Sequence, residues 1–214
     1  MPDCCNPSGY EKLFNSREAG KSLRLYDKNG LNRGAKRVVA YLKQQGLEGH
    51  RIIEVGGGIG ALQIELLKAG AASAVNVELS HGYQEVATQL VRREGLEGRV
   101  EQRIGDFTEM AEGMEADDVI MNRVICCYPH LERLMDAALS ASSHVVAATF
   151  PRDRILSRVA IGFENIYHRI RGRDFRAYLH PPKAIMETAS RAGFEVAFND
   201  SEFMWQSVVF EKAA

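Results

Sequence analysis

Apolar positions along the chain follow two alternating rhythms. Short β-branched runs read as buried strands, and stretches with apolar residues at i, i+3, i+4, i+7 and i+8 read as one-sided helices. The run Arg51–Val55 predicts a first strand, followed by a helix over 61–69 that stops at Gly70. A second strand over 74–79 is closed by Ser80 as a helix N-cap. The next helix carries Tyr83, Val86, Ala87, Leu90 and Val91 on one side and stops near Gly95. Further strands are expected over 100–104, 118–121 and 144–150. A short acidic helix separates the first two of these, and a helix bearing Leu131, Leu134, Met135, Ala138 and Leu139 precedes the third.

Both flanks depart from this alternation. Residues 1–9 read as a loose arm, and a weakly amphipathic stretch carries Phe14, Ala19, Leu23 and Tyr26. A clearer helix over 32–45 buries Val38, Val39 and Leu42 and is stopped by Gly46. Beyond the fifth strand, residues 151–180 form a basic, aromatic-bearing helical insertion over the sheet's carboxyl edge. Pro181-Pro182 then opens a last helix. Strands over 194–198 and 204–210, joined by a short turn, must pair antiparallel or sit apart. Strand and helix alternating in this way define an α/β chain with a doubly wound, mostly parallel sheet.

The chemistry concentrates where the first strand ends. Gly56, Gly58 and Gly60 alternate between that strand and a helix start, where a ligand can approach bare backbone and unpaired N–H groups. Gly56-x-Gly58-x-x-Ala61 satisfies the dinucleotide fingerprint. Glu54-Val-Gly56-Gly-Gly58-Ile-Gly60 also satisfies an acidic-x-G-x-G-x-G pattern. With this stretch the sequence resembles the class I S-adenosylmethionine-dependent methyltransferases. Two further acids at strand ends extend the match: Glu78, some twenty residues past the turn, and Asp106 after the third strand.

The resemblance implies a Rossmann-like, seven-stranded sheet whose last strand is antiparallel, in one domain over 1–214. Residues 1–48 would form an N-terminal arm and helices that cover the cofactor or shape the acceptor pocket. Residues 49–150 would be the cofactor-binding core, 151–180 a cap insertion, and 181–214 a C-terminal helix with a strand pair. S-adenosylmethionine is the implied cofactor. Glu54, Gly56, Gly58 and Gly60 would lie against its methionine part, Glu78 would take the ribose hydroxyls, and Leu79 beside it would also bind the cofactor. Asp106 would bond the adenine amino group while Phe107 packs on the base. Asn122 and Arg123 would lie closest to the reacting methyl. Transfer would be an in-line displacement, with a base needed only for an acceptor that must lose a proton.

His130 and Tyr128 are the candidate catalytic groups, with His180 weaker. Arg123, Cys126, Cys127 and His180 are expected at the acceptor. Cys126-Cys127-Tyr128-Pro129 stands where amide and base N-methyltransferases carry N/D-Pro-Pro-Tyr, which argues against those acceptors. The Thr149–Arg152 exit, the basic insertion and the proline-led helix are similar in layout to magnesium-protoporphyrin O-methyltransferase-like small-molecule methyltransferases. The glycine turn differs, being Glu-Val-Gly-Gly-Gly here where Asp-Ala-Gly-Cys-Gly is commoner there.

Composition narrows the remaining classes. At 214 residues, 45% hydrophobic and 26% charged, the chain has the make-up of an ordinary globular protein. Net charge is −1, which gives no case for nucleic acid, and no apolar run approaches a membrane span. No membrane partner and a cytoplasmic location are therefore expected, as monomer or homodimer. Residues 101–120 hold seven acids against one base, and 151–183 hold eight bases against three acids. Both read as solvated helix faces, with an anionic acceptor met by the arginines of 151–176 as a further expectation.

The adjacent pairs Cys4-Cys5 and Cys126-Cys127 do not match usual zinc spacing, so free thiols and no metal are expected. Four thiols converging on a soft metal or thiophilic substrate is the sharper alternative. Two rivals stand beside the methyltransferase reading: an NAD-type oxidoreductase, and a non-catalytic module that binds adenosylmethionine or metal.

Overall fold

The computed structural model of the chain describes residues 7–213. Cys4 and Cys5 lie outside the described residues. From Pro7 onward the expected loose arm is instead helical, and the weak stretch behind it resolves into two helices, α1 (Pro7–Leu13) and α2 (Ser16–Asn29). Asn15 separates them because its side-chain oxygen accepts from the Arg17 and Glu18 N–H groups, which starts a new helix. Asn32 caps α3 (Arg33–Gln45) in the same way, accepting from Ala35 N–H at 3.0 Å.

Strands and helices then alternate: β1 (Arg51–Val55), α4 (Ala61–Lys68), β2 (Ser73–Glu78), α5 (Gln84–Arg93), β3 (Val100–Ile104), α6 (Phe107–Met110), β4 (Ala116–Asn122), α7 (Leu131–Ala141) and β5 (Ser142–Pro151). Ser80 caps a single 3₁₀ turn, His81–Tyr83, that leads into α5. The chain continues with α8 (Ile155–Ile170), α9 (Pro182–Arg191), β6 (Phe194–Ser201) and β7 (Trp205–Lys212).

The strands form one sheet in the order β3-β2-β1-β4-β5-β7-β6. β1 to β5 are parallel, and β7 runs antiparallel between β5 and β6. The order reverses beside β1, so the carboxyl ends of β1 and β4 open a crevice there, the usual place for a ligand in such sheets. Alternate side chains of the central strands feed two cores. Ile53, Val55, Val119, Met121 and Val146 pack with α7 and α9. Ile52, Ile120, Val145 and Ala147 pack with α3, α4 and α5 on the other face. Among the described residues no helix is long and apolar enough to cross a membrane.

Candidate active site

The glycine turn has a steric reason for each of its first positions. Gly56, Gly58 and Gly60 all have left-handed backbone, with φ of 59°, 58° and 71°, which side-chain-bearing residues rarely adopt. Gly57 is constrained by space: a Cβ there would sit 2.3 Å from Asn76 Oδ1 and 2.9 Å from Glu54 Cδ. Because Gly60 cannot cap α4, Glu54 does so from the preceding strand, accepting from Gln63 N–H at 2.9 Å. Glu54 is fully buried, and that burial pushes its carboxyl up to about 8 against the opposing pull of the Gln63 bond. Gln63 and Asn76, which the sequence reading passed over, complete a buried polar cluster behind the turn. The Asn76 amide donates to the Gly58 carbonyl at 3.3 Å.

Glu78 closes β2 with its carboxylate turned back to the turn, accepting from Gly58 N–H at 2.8 Å and Ser80 N–H at 3.0 Å. Burial raises its pKa, and these backbone donors oppose the shift. Asp106 caps α6, its Oδ1 accepting from Thr108 N–H and from the Thr108 hydroxyl, each at 2.9 Å. The Tyr128 hydroxyl reaches the same carboxylate, 3.0 Å from Oδ2. Phe107 is buried beside it.

These groups line one cavity of about 650 Å³. Its lining holds Glu54, Gly56, Gly58, Glu78, Leu79, Asp106, Phe107, Asn122, Arg123, Cys127 and Tyr128. Gly60, expected against the cofactor, is not part of this lining, which includes its neighbours Gly57, Ile59 and Ala61. The cavity's cover comes from the N-terminal segment. Tyr10 and Phe14 pack on Phe175, with ring centroids 5.6 and 5.7 Å away. The Tyr10 hydroxyl donates to the Cys127 carbonyl, and the Ser80 hydroxyl to the Phe14 carbonyl. Gly82 permits this docking, since a Cβ there would come within 2.6 Å of the Asn15 backbone.

The acceptor side differs from expectation. His130 is exposed at the start of α7 and does not line the cavity. His180 lies outside it too; its Nε2–H donates to the Tyr128 carbonyl at 2.8 Å and so props the 126–128 loop. His130 is expected at the site from its closeness to the end of β4 and His180 from its place before Pro181-Pro182 at the end of the insertion, but neither side chain reaches the cavity lining. Tyr128 lines the cavity with its hydroxyl on Asp106 and Thr108. None of the arginines between 151 and 176 lines the cavity; Arg123 does. Arg123 has φ of 62°, its N–H donates to the Thr149 hydroxyl at 2.9 Å, and its guanidinium lies 4.3 Å from the Trp205 ring centre. That hydroxyl in turn donates to Asn122 Oδ1 at 2.8 Å.

Cys126 is buried and Cys127 half-buried, with sulfurs 3.9 Å apart. Sharing a proton with its neighbour holds the Cys126 thiol low, and the adjacent sulfur with burial pushes Cys127 high. Of the alternative four-thiol cluster, only this half falls within the described residues. A different polar cluster sits at the opposite ends of the strands. Asp118 is buried there with His50 Nδ1 at 2.8 Å and His144 Nδ1 at 3.2 Å.

Sheet order, reversed last strand and a crevice at the β1 and β4 ends define the class I S-adenosylmethionine-dependent methyltransferase fold. Among solved structures, the chain is similar to magnesium protoporphyrin IX methyltransferase from Synechocystis PCC 6803. With S-adenosylhomocysteine bound, that protein matches at 21% identity over 94% of this chain and 97% of that one, TM-score 0.74. With S-adenosylmethionine bound, it matches at 19% over 100% of both chains, TM-score 0.74. An O-methyltransferase family protein from Burkholderia thailandensis matches at 16% over 94% of this chain and 64% of that one, TM-score 0.68. No family model and no curated protein sequence matches the chain.

Proposed function

We propose that the chain is an S-adenosylmethionine-dependent methyltransferase acting on a small molecule. One observation carries this reading: the left-handed Gly56 and Gly58 and the strand-end acids Glu54, Glu78 and Asp106 converge on a single cavity. The residues present fit the cofactor. Backbone without Cβ atoms forms part of the floor, Glu78 offers a carboxylate at its edge, and the volume falls in the range of about 300–1,000 Å³ usual for ligand sites. The solved neighbours with bound adenosylmethionine or its demethylated product support the same assignment.

In this reading the cofactor supplies a methyl group already activated for displacement. Glu78 accepts from the ribose hydroxyls, and Asp106 accepts from the adenine amino group while Phe107 packs on the base. Glu54 holds the glycine turn and the methionine amino group. The tie from Tyr128 to Asp106 makes Tyr128 a positioning residue and not a base. Tyr10 and Phe14 exclude water from above, which strengthens every polar contact beneath them. Arg123 and Cys127 face the acceptor, which is held near attack distance.

No histidine is among the lining residues described. An acceptor that attacks without losing a proton, such as a carboxylate paired with Arg123, therefore suits the site best. Magnesium protoporphyrin is the neighbour's substrate and is not carried over to this chain.

Calorimetric titration of the purified protein with adenosylmethionine, adenosylhomocysteine and NAD tests the reading. One adenosyl ligand bound per chain is expected, with Glu78→Gln weakening it about 10- to 100-fold as a charged acceptor is lost. Dinucleotide binding in its place, or no adenosyl ligand bound, overturns the proposal. Adenosylmethionine bound but never turned over against a panel of carboxylic acids leaves a binding module and removes the enzymatic part.

A further inference from the structure

Helix α8 is inside out. Ile155, Val159, Phe163, Ile166 and Ile170 are between 48% and 82% exposed. At about 100° per residue they fall within an arc of about 80° on one side of the helix. The two residues that α8 buries are Ser157 and His168, on the opposite side. Both have a polar atom without a hydrogen-bond partner, the Ser157 hydroxyl and His168 Nδ1. A helix facing only water would present these faces the other way round. Beside the solvated arginines expected from the sequence, the helix thus also exposes an apolar stripe.

Charge gathers at both ends of that stripe. Residues 152–176 hold seven arginines (152, 154, 158, 169, 171, 173 and 176) against Asp153, Glu164 and Asp174. Arg158 pairs with Asp153 at 2.8 Å, and Arg171 and Arg173 lie over the Tyr167 ring at 5.3 and 6.0 Å. The whole chain carries a formal charge of −1, so the excess is local. A second copy seated on this face would meet arginines with arginines, whether the helices ran parallel or antiparallel, because both ends are basic. An anionic surface meets both ends favourably.

We propose that α8 is an interfacial helix, which lays its 155–170 stripe into an anionic lipid bilayer while its flanking arginines contact the headgroups. An exposed apolar face between basic ends is the composition of a helix that lies in the membrane plane. At 16 residues it extends about 24 Å along that surface. The turn next to α8 adds Phe203, 71% exposed, since Arg152 bonds to the carbonyls of both Glu202 and Met204. This revises the expectation of no membrane partner, because that expectation concerned spanning segments only. The proposal does not rest on the methyltransferase reading.

The test is co-sedimentation of the full chain with vesicles of phosphatidylcholine, with and without phosphatidylserine. Binding is expected only when phosphatidylserine is present, and it weakens as salt is raised. Phe163→Glu with Ile166→Glu is expected to reduce binding more than tenfold. Arg169→Gln is expected to reduce it about fivefold, the contribution of one surface cation. All three positions are exposed, so an unchanged melting curve separates lost binding from lost folding. Absence of binding to phosphatidylserine vesicles overturns the proposal. So does a dimer in analytical ultracentrifugation that Phe163→Glu with Ile166→Glu converts to monomer, since that assigns the stripe to a second copy.

Discussion

Glu54 makes the stability of the folded chain depend on pH. In the unfolded chain its carboxyl ionises near 4.5, while in the fold burial holds it up to about 8. Between those values the folded state binds a proton that the unfolded state lacks. Stability is therefore fully present below about 4.5 and lost as pH rises through about 8. Glu78 is raised by burial as well and acts in the same sense. Urea melts of the ligand-free protein between about pH 5 and pH 8 should show declining stability, and Glu54→Gln should flatten much of that slope. A flat profile in the parent protein counts against this account. The adjacent Gly57 offers a second test. A methyl there meets Asn76 Oδ1 at 2.3 Å, and neither Asn76 nor Glu54 has room to retreat, because both are buried. Gly57→Ala should cost about 1–3 kcal/mol in a thermal or urea melt, the usual penalty of overpacking, and should weaken adenosylmethionine binding in parallel.

What the sequence made legible was mostly local to one element or one turn. The glycine turn, Glu78 and Asp106 were found because each lies at a fixed chain distance from a strand end, and the sheet order makes strand ends neighbours. Gln63 and Asn76 carried no such mark, as they read as ordinary positions of a helix and a strand. His130 and His180 were misplaced because chain order alone does not say whether a side chain turns into a cavity. For α8 the helical, basic character was legible but the exposed apolar stripe was not, because a helical stripe looks the same in sequence whether it faces the core or the solvent. What holds α8 is a pairing across a gap in the chain. The Asn165 amide donates to the Ala177 carbonyl at 2.9 Å and accepts from the Ala177 N–H at 2.8 Å. Asn165→Ala should cost about 1–3 kcal/mol and leave two backbone groups unpaired. Faster amide exchange confined to 155–178 would identify this pairing as the clasp. Exchange that rises uniformly across the chain would assign the loss to global destabilisation.

Across the whole molecule, distant parts of the chain depend on one another. α3 packs on β7 through Val38, Leu42 and Val209 in a shared core. Tyr41 donates to Glu211 at 2.9 Å, and Arg37 meets Asp200 at 2.6 Å. β7 also lies between two strands made before it, pairing with β5 over Val145–Pro151 and with β6 over Phe194–Ser201. The consequence concerns time. A chain emerging from synthesis has α4 and β1 to β5 long before β7, so α3 goes without its packing on β7 for more than 150 residues of growth. Closing such a long loop is entropically slow, and topologies rich in distant pairings fold over milliseconds to seconds. Refolding followed by amide-exchange labelling should therefore protect α3 and β7 together and late, after the β1–β4 pairing. Protection of α3 before β7 would refute that order. Until β7 arrives, part of an apolar helix face and an unpaired β5 edge stand open together, and the growing chain is exposed to aggregation there until β7 joins the sheet.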